Sequence, residues 1–174
     1  MKIKKFLFKK VRSTNDTSLR LIRKNYKNGF VISEVQTAGK GQRGKKWISN
    51  KGNIFLSIFF IINPNKNLVK ITNLTLNIVN KIINKYSQIK TTIKKPNDIL
   101  INKQKVSGIL QEVIFYKNKK FLIVGIGINL LNSPNIKDYP TTYLYKYSKK
   151  KIYKIELTNK IKNEFEKQYY KFIK

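Results

Sequence analysis

Four short segments of this sequence hold residue types that can do chemistry. The first is Gly39-Lys40-Gly41-Gln42-Arg43-Gly44-Lys45-Lys46-Trp47. Its glycines let backbone N–H groups turn toward one anion, and Lys40 and Arg43 add positive charge. No Gly-Lys-Ser/Thr closes it, so it is not a Walker phosphate loop, and no dinucleotide fingerprint fits. A flexible solvated loop is the equal alternative, and Trp47, the only Trp, serves either as part of a site or as a core anchor. The second segment, Lys94-Lys95-Pro96-Asn97-Asp98, places an amide and a carboxylate at a turn, where they can meet a metal or a base edge. Pro96 drives Lys95 into extended geometry. Taken alone, this segment reads as an ordinary Pro-Asn-Asp turn. In the third, Lys105-Val106-Ser107-Gly108-Ile109-Leu110-Gln111-Glu112, a glycine inside a strand pattern marks close approach of a ligand or a neighbour. Lys105 can reach the same space or stand solvated at a strand end. The fourth, Val124-Gly125-Ile126-Gly127-Ile128-Asn129, strips one face of a strand beside an amide. That bare face suits either a flat ligand such as a base or tight packing of a helix.

The elements that position these segments follow from periodicity. Phe6 to Val11 reads as a strand, and Ser13-Thr14-Asn15 supplies helix N-cap chemistry with Asp16 against the helix dipole. Leu19, Ile22 and Tyr26 predict a helix over 15–26, ended by Asn28-Gly29. Strands are expected at Phe30 to Gln36, Asn53 to Ile62, Thr91 to Lys94, Ile99 to Asn102, Val106 to Phe115 and Phe121 to Asn129. Turns at Asn102-Lys103 and Lys117-Asn118-Lys119 join neighbouring strands into hairpins. Leu68, Ile71, Leu74, Ile78, Ile82 and Ile83 mark a long amphipathic helix over 67–86. Residues 132–151 read as loop, and Leu157 to Phe172 as a closing helix. The fold class expected is therefore α/β of the α+β type, with a mixed, largely antiparallel sheet packed on helices and one domain over residues 1–174.

Composition narrows the chemistry. The 174 residues include no Cys and no His, which excludes disulfides, thiolate nucleophiles, Ser-His-Asp catalysis and zinc sites of the usual kind. Reacting groups must be Lys, Arg, carboxylates, amides, hydroxyls and backbone. No apolar run reaches the ~18 residues of a membrane span, and MKIKKFLFKK is no signal peptide. The expectation is a cytoplasmic protein with no membrane association. The formal net charge is +30, from 38 Lys+Arg against 8 Asp+Glu, and invites a nucleic-acid reading. Yet 34 of those cations are Lys spread through every segment, alongside 26 Ile and 20 Asn, the mark of a chain-wide compositional drift. Four Arg are few for bidentate phosphate or guanine recognition. Against this background, the acids that persist in or beside the motifs carry more information than usual.

Each segment alone is ambiguous, but their order is not. Ser-Thr-Asn, a Gln, a basic glycine loop ending in Trp, Lys-x-Pro-Asn-Asp, Lys-Val-x-Gly-Ile-Leu-x-Glu and Gly-Ile-Gly-Ile-Asn follow one another between residues 6 and 131. This series resembles the catalytic domain of biotin protein ligases, of class II synthetase-like fold. The resemblance implies activation of biotin by ATP with Mg²⁺ to biotinyl-5′-AMP. Biotin then passes to a lysine of the biotin carboxyl carrier protein domain of a biotin-dependent carboxylase. It implies that Ser13, Thr14, Asn15 and Gln36 hold the ureido ring, and that Gly39, Lys40, Gly41 and Gln42 wrap the reacting carboxylate and phosphate. It also implies that Lys105 neutralises both anions as the essential group and that Gly108 leaves room for biotin. Arg43 would attend the phosphates and Trp47 lie near the nucleotide. Asn97 and Asn129 would meet adenine, and Asp98 would contact Mg²⁺.

Three departures from the family pattern stand out. The family loop usually reads Gly-Arg-Gly-Arg-x-Gly-Arg-x-Trp, and here Lys40, Gln42 and Lys45 replace its arginines. Gln42 loses a charge altogether, which implies a less tightly held adenylate that escapes to label other lysines. Lys95 stands where the family carries Trp. The third concerns extent: the expected chain has no DNA-binding helix-turn-helix before the catalytic domain and no small C-terminal β-barrel after it, hence no specific DNA binding. The rival readings are a lipoate or octanoate ligase of related fold, a basic nucleic-acid-binding module and an eroded ligase.

Overall fold

The structure, a computed structural model, describes residues 2–137 and 139–173; Asp138, one of the eight acids, lies outside them. Among the described residues, seven strands and three helices run in the order β1 (Lys5–Val11), α1 (Thr14–Arg23), β2 (Asn28–Gln36), β3 (Ile54–Ile61), α2 (Leu68–Asn84), β4 (Thr91–Lys94), β5 (Asp98–Ile101), β6 (Gln104–Tyr116), β7 (Lys119–Ile128) and α3 (Lys154–Ile173). The strands form one sheet, β1-β2-β3-β7-β6-β5-β4, antiparallel except where β1 lies beside β2. The expected mixed sheet on helices is thus the architecture observed.

Side-chain alternation along β3 divides the core in two. Leu56, Ile58 and Phe60 join the larger cluster, to which α2 gives Ile71, Ile78, Ile82 and Ile83 and α3 gives Leu157, Ile161, Phe165 and Phe172. Phe60 meets Phe172 edge-on at 5.3 Å between ring centres, and Phe165 stacks on Phe172 at 5.4 Å. Phe59 turns the other way, with Val31, Ile123 and Ile22 of α1. One helix therefore covers the face of the sheet that carries Ser57 and Phe59, and two cover the opposite face. No helix among the described residues is long and apolar enough to cross a membrane.

The hairpin turns fall where expected. Asn102 and Lys103 have φ of 47° and 61°, and Lys117 and Asn118 have 47° and 58°, the paired left-handed geometry whose twist matches the flanking strands. The end of α1 differs from expectation. The helix stops at Arg23, because Asn25 takes φ of 66° and closes a double cap: its N–H reaches Ile22 O at 2.8 Å, and that of Tyr26 reaches Leu21 O at 3.1 Å. Asn28-Gly29, expected to end the helix, instead opens β2. The 132–151 segment is mostly irregular but contains a 3₁₀ turn at Leu144–Tyr147. Asn53 anchors its start, since its Oδ1 accepts from Leu130 N at 2.9 Å and Leu131 N at 3.1 Å.

Candidate active site

The chain leaves β1 directly into α1, and parallel pairing sets Val11 beside Gln36. This places Gln36, the last residue of β2, at the N-terminus of α1. Ser13 occupies the N-cap position with extended backbone, but its side chain makes no cap bond. Gln36 takes over that task, its Oε1 accepting from Thr14 N at 2.8 Å and from Thr14 Oγ1 at 3.1 Å. The Gln36 amide then donates to Ser49 Oγ at 3.1 Å. Asn15 lies inward. Its Nδ2 donates to Glu112 Oε2 at 2.6 Å, and its Oδ1 accepts from Ser57 Oγ, also at 2.6 Å. The carboxylate can only accept, so it fixes which way the Asn15 amide points. A Cβ on Gly125, the register partner of Ser57, would stand 2.4 Å from Asn15 Oδ1, so the glycine is what admits this side chain.

A second glycine pair makes a platform one step away. Gly108 of β6 and Gly127 of β7 face each other across the ladder, and the Trp47 indole lies on both. Added Cβ atoms there would meet the ring at 2.8 Å and 2.4 Å. The bare face of the Gly-Ile-Gly strand, read as ligand or helix space, is thus filled by Trp47 and Asn15. Trp47 Nε1 is buried without a hydrogen-bond partner among the described residues.

Lys105 borders the platform and is no solvated strand-end lysine. Its side chain is 19% exposed, with Nζ 2.8 Å from Asp98 Oδ1 and 5.3 Å from the Trp47 ring centre. The ammonium sits off the line of a good hydrogen bond to Oδ1, which leaves that oxygen ion-paired but without an aligned donor. Asp98 Oδ2 accepts from Tyr139 OH at 2.6 Å. Burial, then the bond to Asp98 and its charge, push the Tyr139 hydroxyl well above the usual phenol range.

Two adjoining cavities meet at Trp47 and Lys105. The smaller, about 50 Å³, is lined by Ser13, Thr14, Asn15, Gln36, Lys40, Gly41, Gln42, Asn97 and Gly108 as well. It has room for only a few waters, so an organic ligand entering it needs the lining to move, and Trp47 is the largest side chain in that lining. The larger, about 420 Å³, also touches Gly41, Gln42 and Asn97, and adds Arg43, Lys45, Lys46, Lys94, Lys95, Asp98, Asn129 and Tyr139. Its volume falls in the range of small-molecule sites. Gly39 lines neither; a Cβ there would strike Trp47 O at 2.5 Å, so it permits the loop's return.

Several expectations change in detail. The loop amides do not all point at one anion: Gly41 N donates to Lys45 O, Lys45 N to Gln42 O and Trp47 N to Gly39 O, closing the loop on itself. Its tip places Arg43 and Gly44 at φ of 54° and 74°. Lys40 reaches back to an ion pair with Asp16 of α1. Asn97 spends its Nδ2 on Ile109 O at 2.9 Å, and its own carbonyl takes Ile109 N at the same distance, so this amide clamps the turn to β6. Asn129 donates to Thr142 O at 3.1 Å, while its Oδ1 is buried and partnerless among the described residues beside the larger cavity.

Sequence reasoning overlooked Ser57 and Tyr139 and quoted Glu112 without a role. Ser57 did leave a signal, as the one hydroxyl in the apolar run Ile54–Ile61. Tyr139, in a segment rich in Tyr and Lys, left none. No group of three or more acids among the described residues is placed to hold a metal ion.

Comparison with known proteins shows the family. A profile of the Biotin/lipoate A/B protein ligase family matches residues 7–129. The bifunctional ligase/repressor BirA of Bacillus spizizenii is 35% identical over 171 residues, covering 91% of this chain and 51% of that protein. The chain spans about half the length of the curated relatives it matches. Among solved structures, biotin protein ligase from Aquifex aeolicus in complex with biotin and ATP superposes with a TM-score of 0.78 at 31% identity, over 97% of this chain and 71% of that one. A bipartite lipoate protein ligase from Thermoplasma acidophilum shares the fold at a TM-score of 0.67 and 9% identity, over 98% of this chain and 84% of that one. The chain belongs to the biotin/lipoate A/B protein ligase family.

Proposed function

We propose that the chain activates the biotin carboxylate with ATP, forming biotinyl-5′-AMP and pyrophosphate, and then transfers biotin to one lysine of a biotin carboxyl carrier domain. The observation that carries this reading is the place of Lys105, on the wall between a cavity lined with hydrogen-bonding groups and a larger one rimmed with cations. Activation brings two anions together, a carboxylate and an α-phosphate. A fixed ammonium between them offsets their repulsion as the new P–O bond forms and pyrophosphate departs. Proximity supplies much of the remaining acceleration. The second step exchanges AMP for the amine of the acceptor lysine.

In this reading Thr14, Asn15 and Gln36, backed by Ser57 and Glu112, receive the polar ureido ring after Trp47 leaves the glycine platform. Arg43, Lys45, Lys46 and Lys94 face the triphosphate, and the partnerless Asn129 Oδ1 accepts from the adenine amino group. Among the described residues Asp98 is the one carboxylate lining the larger cavity, which fits a magnesium ion that takes most of its ligands from phosphate and water. When bound, that ion would neutralise phosphate charge. The +30 charge would draw in an acidic carrier in a salt-dependent manner.

Lipoate is the second reading, since the fold serves both acids. The polar network of Thr14, Asn15 and Gln36 favours biotin, because a ureido ring can exchange hydrogen bonds with its members, whereas an apolar dithiolane brings neither donor nor acceptor to it. Pyrophosphate exchange into ATP, with biotin, lipoate, octanoate or no acid, tests the proposal without the carrier. Exchange with biotin alone, lost in Lys105→Ala, is expected. Exchange only with lipoate or octanoate would overturn the substrate, and none with any acid would overturn the activity.

A further inference from the structure

Tyr139 belongs to a segment with no role in the reading above, yet its hydroxyl lands on the carboxylate that holds Lys105. The segment is fixed against Lys105 from both sides. Lys105 N donates to Pro140 O at 2.8 Å, and Thr142 N donates to Lys105 O at 2.9 Å. Thr142 O in turn accepts from Asn129 Nδ2 at 3.1 Å. The Tyr139 ring is further flanked by Lys94 Nζ at 4.5 Å and Lys105 Nζ at 5.4 Å from its centre. These restraints aim one donor, the phenol O–H, at Asp98 Oδ2.

Asp98 is 9% exposed, and its two oxygens face Tyr139 and Lys105. The bond from Tyr139 anchors Oδ2 and with it the rotation of the carboxylate, which presents Oδ1 to Lys105, and the ammonium meets that oxygen off line. The ion pair is thereby short but poorly aligned. Without that anchor the carboxylate is free to rotate and bring its charge closer to the ammonium, which tightens the ion pair. We propose that Tyr139 is a positioning residue: its hydroxyl holds Asp98 to a one-oxygen contact with Lys105 and so keeps the ammonium releasable toward incoming anions. This rests on the ligase reading for its catalytic consequence, but not for its geometry.

Two readouts on the intact chain test it. In biotin-dependent pyrophosphate exchange, Tyr139→Phe is expected to lower kcat about tenfold with the biotin KM within about twofold. In an Asp98→Asn background the same change should cost nothing further, since the hydroxyl acts through that carboxylate. The second readout needs no activity. Acylation of Lys105 by acetic anhydride, followed by peptide mapping, should slow several-fold in Tyr139→Phe as Asp98 tightens on the ammonium. Tyr139→Leu, which also removes the ring, should give the same slowing if circular dichroism shows it folded. An unchanged acylation rate in Tyr139→Phe overturns the proposal, as does a full tenfold loss persisting in the Asp98→Asn background. Should the wild-type chain show no exchange with any acid, the ligase reading falls and the acylation rate alone decides this one.

Discussion

At the α1 end of the site, Thr14, Asn15 and Gln36 are already answered by other side chains, whereas at the loop end Trp47 Nε1 and Asn129 Oδ1 lie buried with no partner among the described residues. The first region is a network tied through Ser57, Glu112 and Ser49 to β3, β6 and the chain after the loop. Its donors and acceptors are set before any ligand arrives, and a ligand must match them or lose. The second region is a loop closed on itself and a rim of cations around an open cavity. It offers charge and space rather than fixed hydrogen bonds. Under the proposed ligase activity, this contrast would give selectivity for the acid to the first region and the handling of anions to the second.

Lys105 joins the two regions, so its removal should give the largest effect. Lys105→Ala is expected to lower kcat/KM for exchange by 10²-fold or more, in the range found when a preorganised electrostatic group is deleted. A loss below tenfold would make the loop cations, not Lys105, the main anion handlers.

Asn15→Ala should act on the first region alone. Glu112 and Ser57 would each lose a bond, and the biotin KM should rise about 10- to 100-fold in exchange kinetics while the ATP KM stays within about threefold. An equal rise in both constants would show that the two regions do not divide the work.

Gly127→Ala probes the platform between them. The new Cβ would stand 2.4 Å from the Trp47 ring and must push it off the strand. Trp47 is the only Trp, so its emission reports the change directly and should shift to the red. A cost of about 1–3 kcal/mol in denaturant unfolding is expected from overpacking. Unshifted emission would mean that the indole is not seated on the glycines in solution.

Gln42→Arg tests the loop end and should have the mildest effect. Restoring a cation there should retain adenylate, cutting the biotin label on an unrelated bystander protein several-fold while exchange stays within about threefold. Equal bystander labelling in both proteins would show that Gln42 does not set retention.

Much of the fold was legible because its signals are local. The apolar runs, the helical spacing of Ile71, Ile78 and Ile82, and the Asn-Lys and Lys-Asn turns each report the chain's own neighbourhood. The end of α1 was misplaced because a left-handed Asn25 leaves a weaker trace than the Asn-Gly pair that follows. At the site, Ser13, Thr14, Asn15, Gln36 and Lys105 were legible through motif order. Ser57 and Tyr139 were not, because a lone hydroxyl in a strand and a tyrosine in a loop acquire meaning only from what lies across the sheet.

The sequence by itself determined the inventory and its order. Without Cys or His, the reacting groups had to be Lys, Arg, carboxylates, amides, hydroxyls or backbone, and glycines at 108, 125 and 127 had to admit something close to the backbone. What occupies that space was decided only by the tertiary structure. Parallel pairing of β1 with β2 carries Gln36 to the α1 terminus, and antiparallel pairing of β6 with β7 sets Gly108 against Gly127 beneath Trp47. Asp98 likewise became a partner of Lys105 and Tyr139 rather than a free carboxylate. Side-chain type is written in the chain, but which groups stand within 3 Å of one another depends on strand register, and register is a property of the whole sheet.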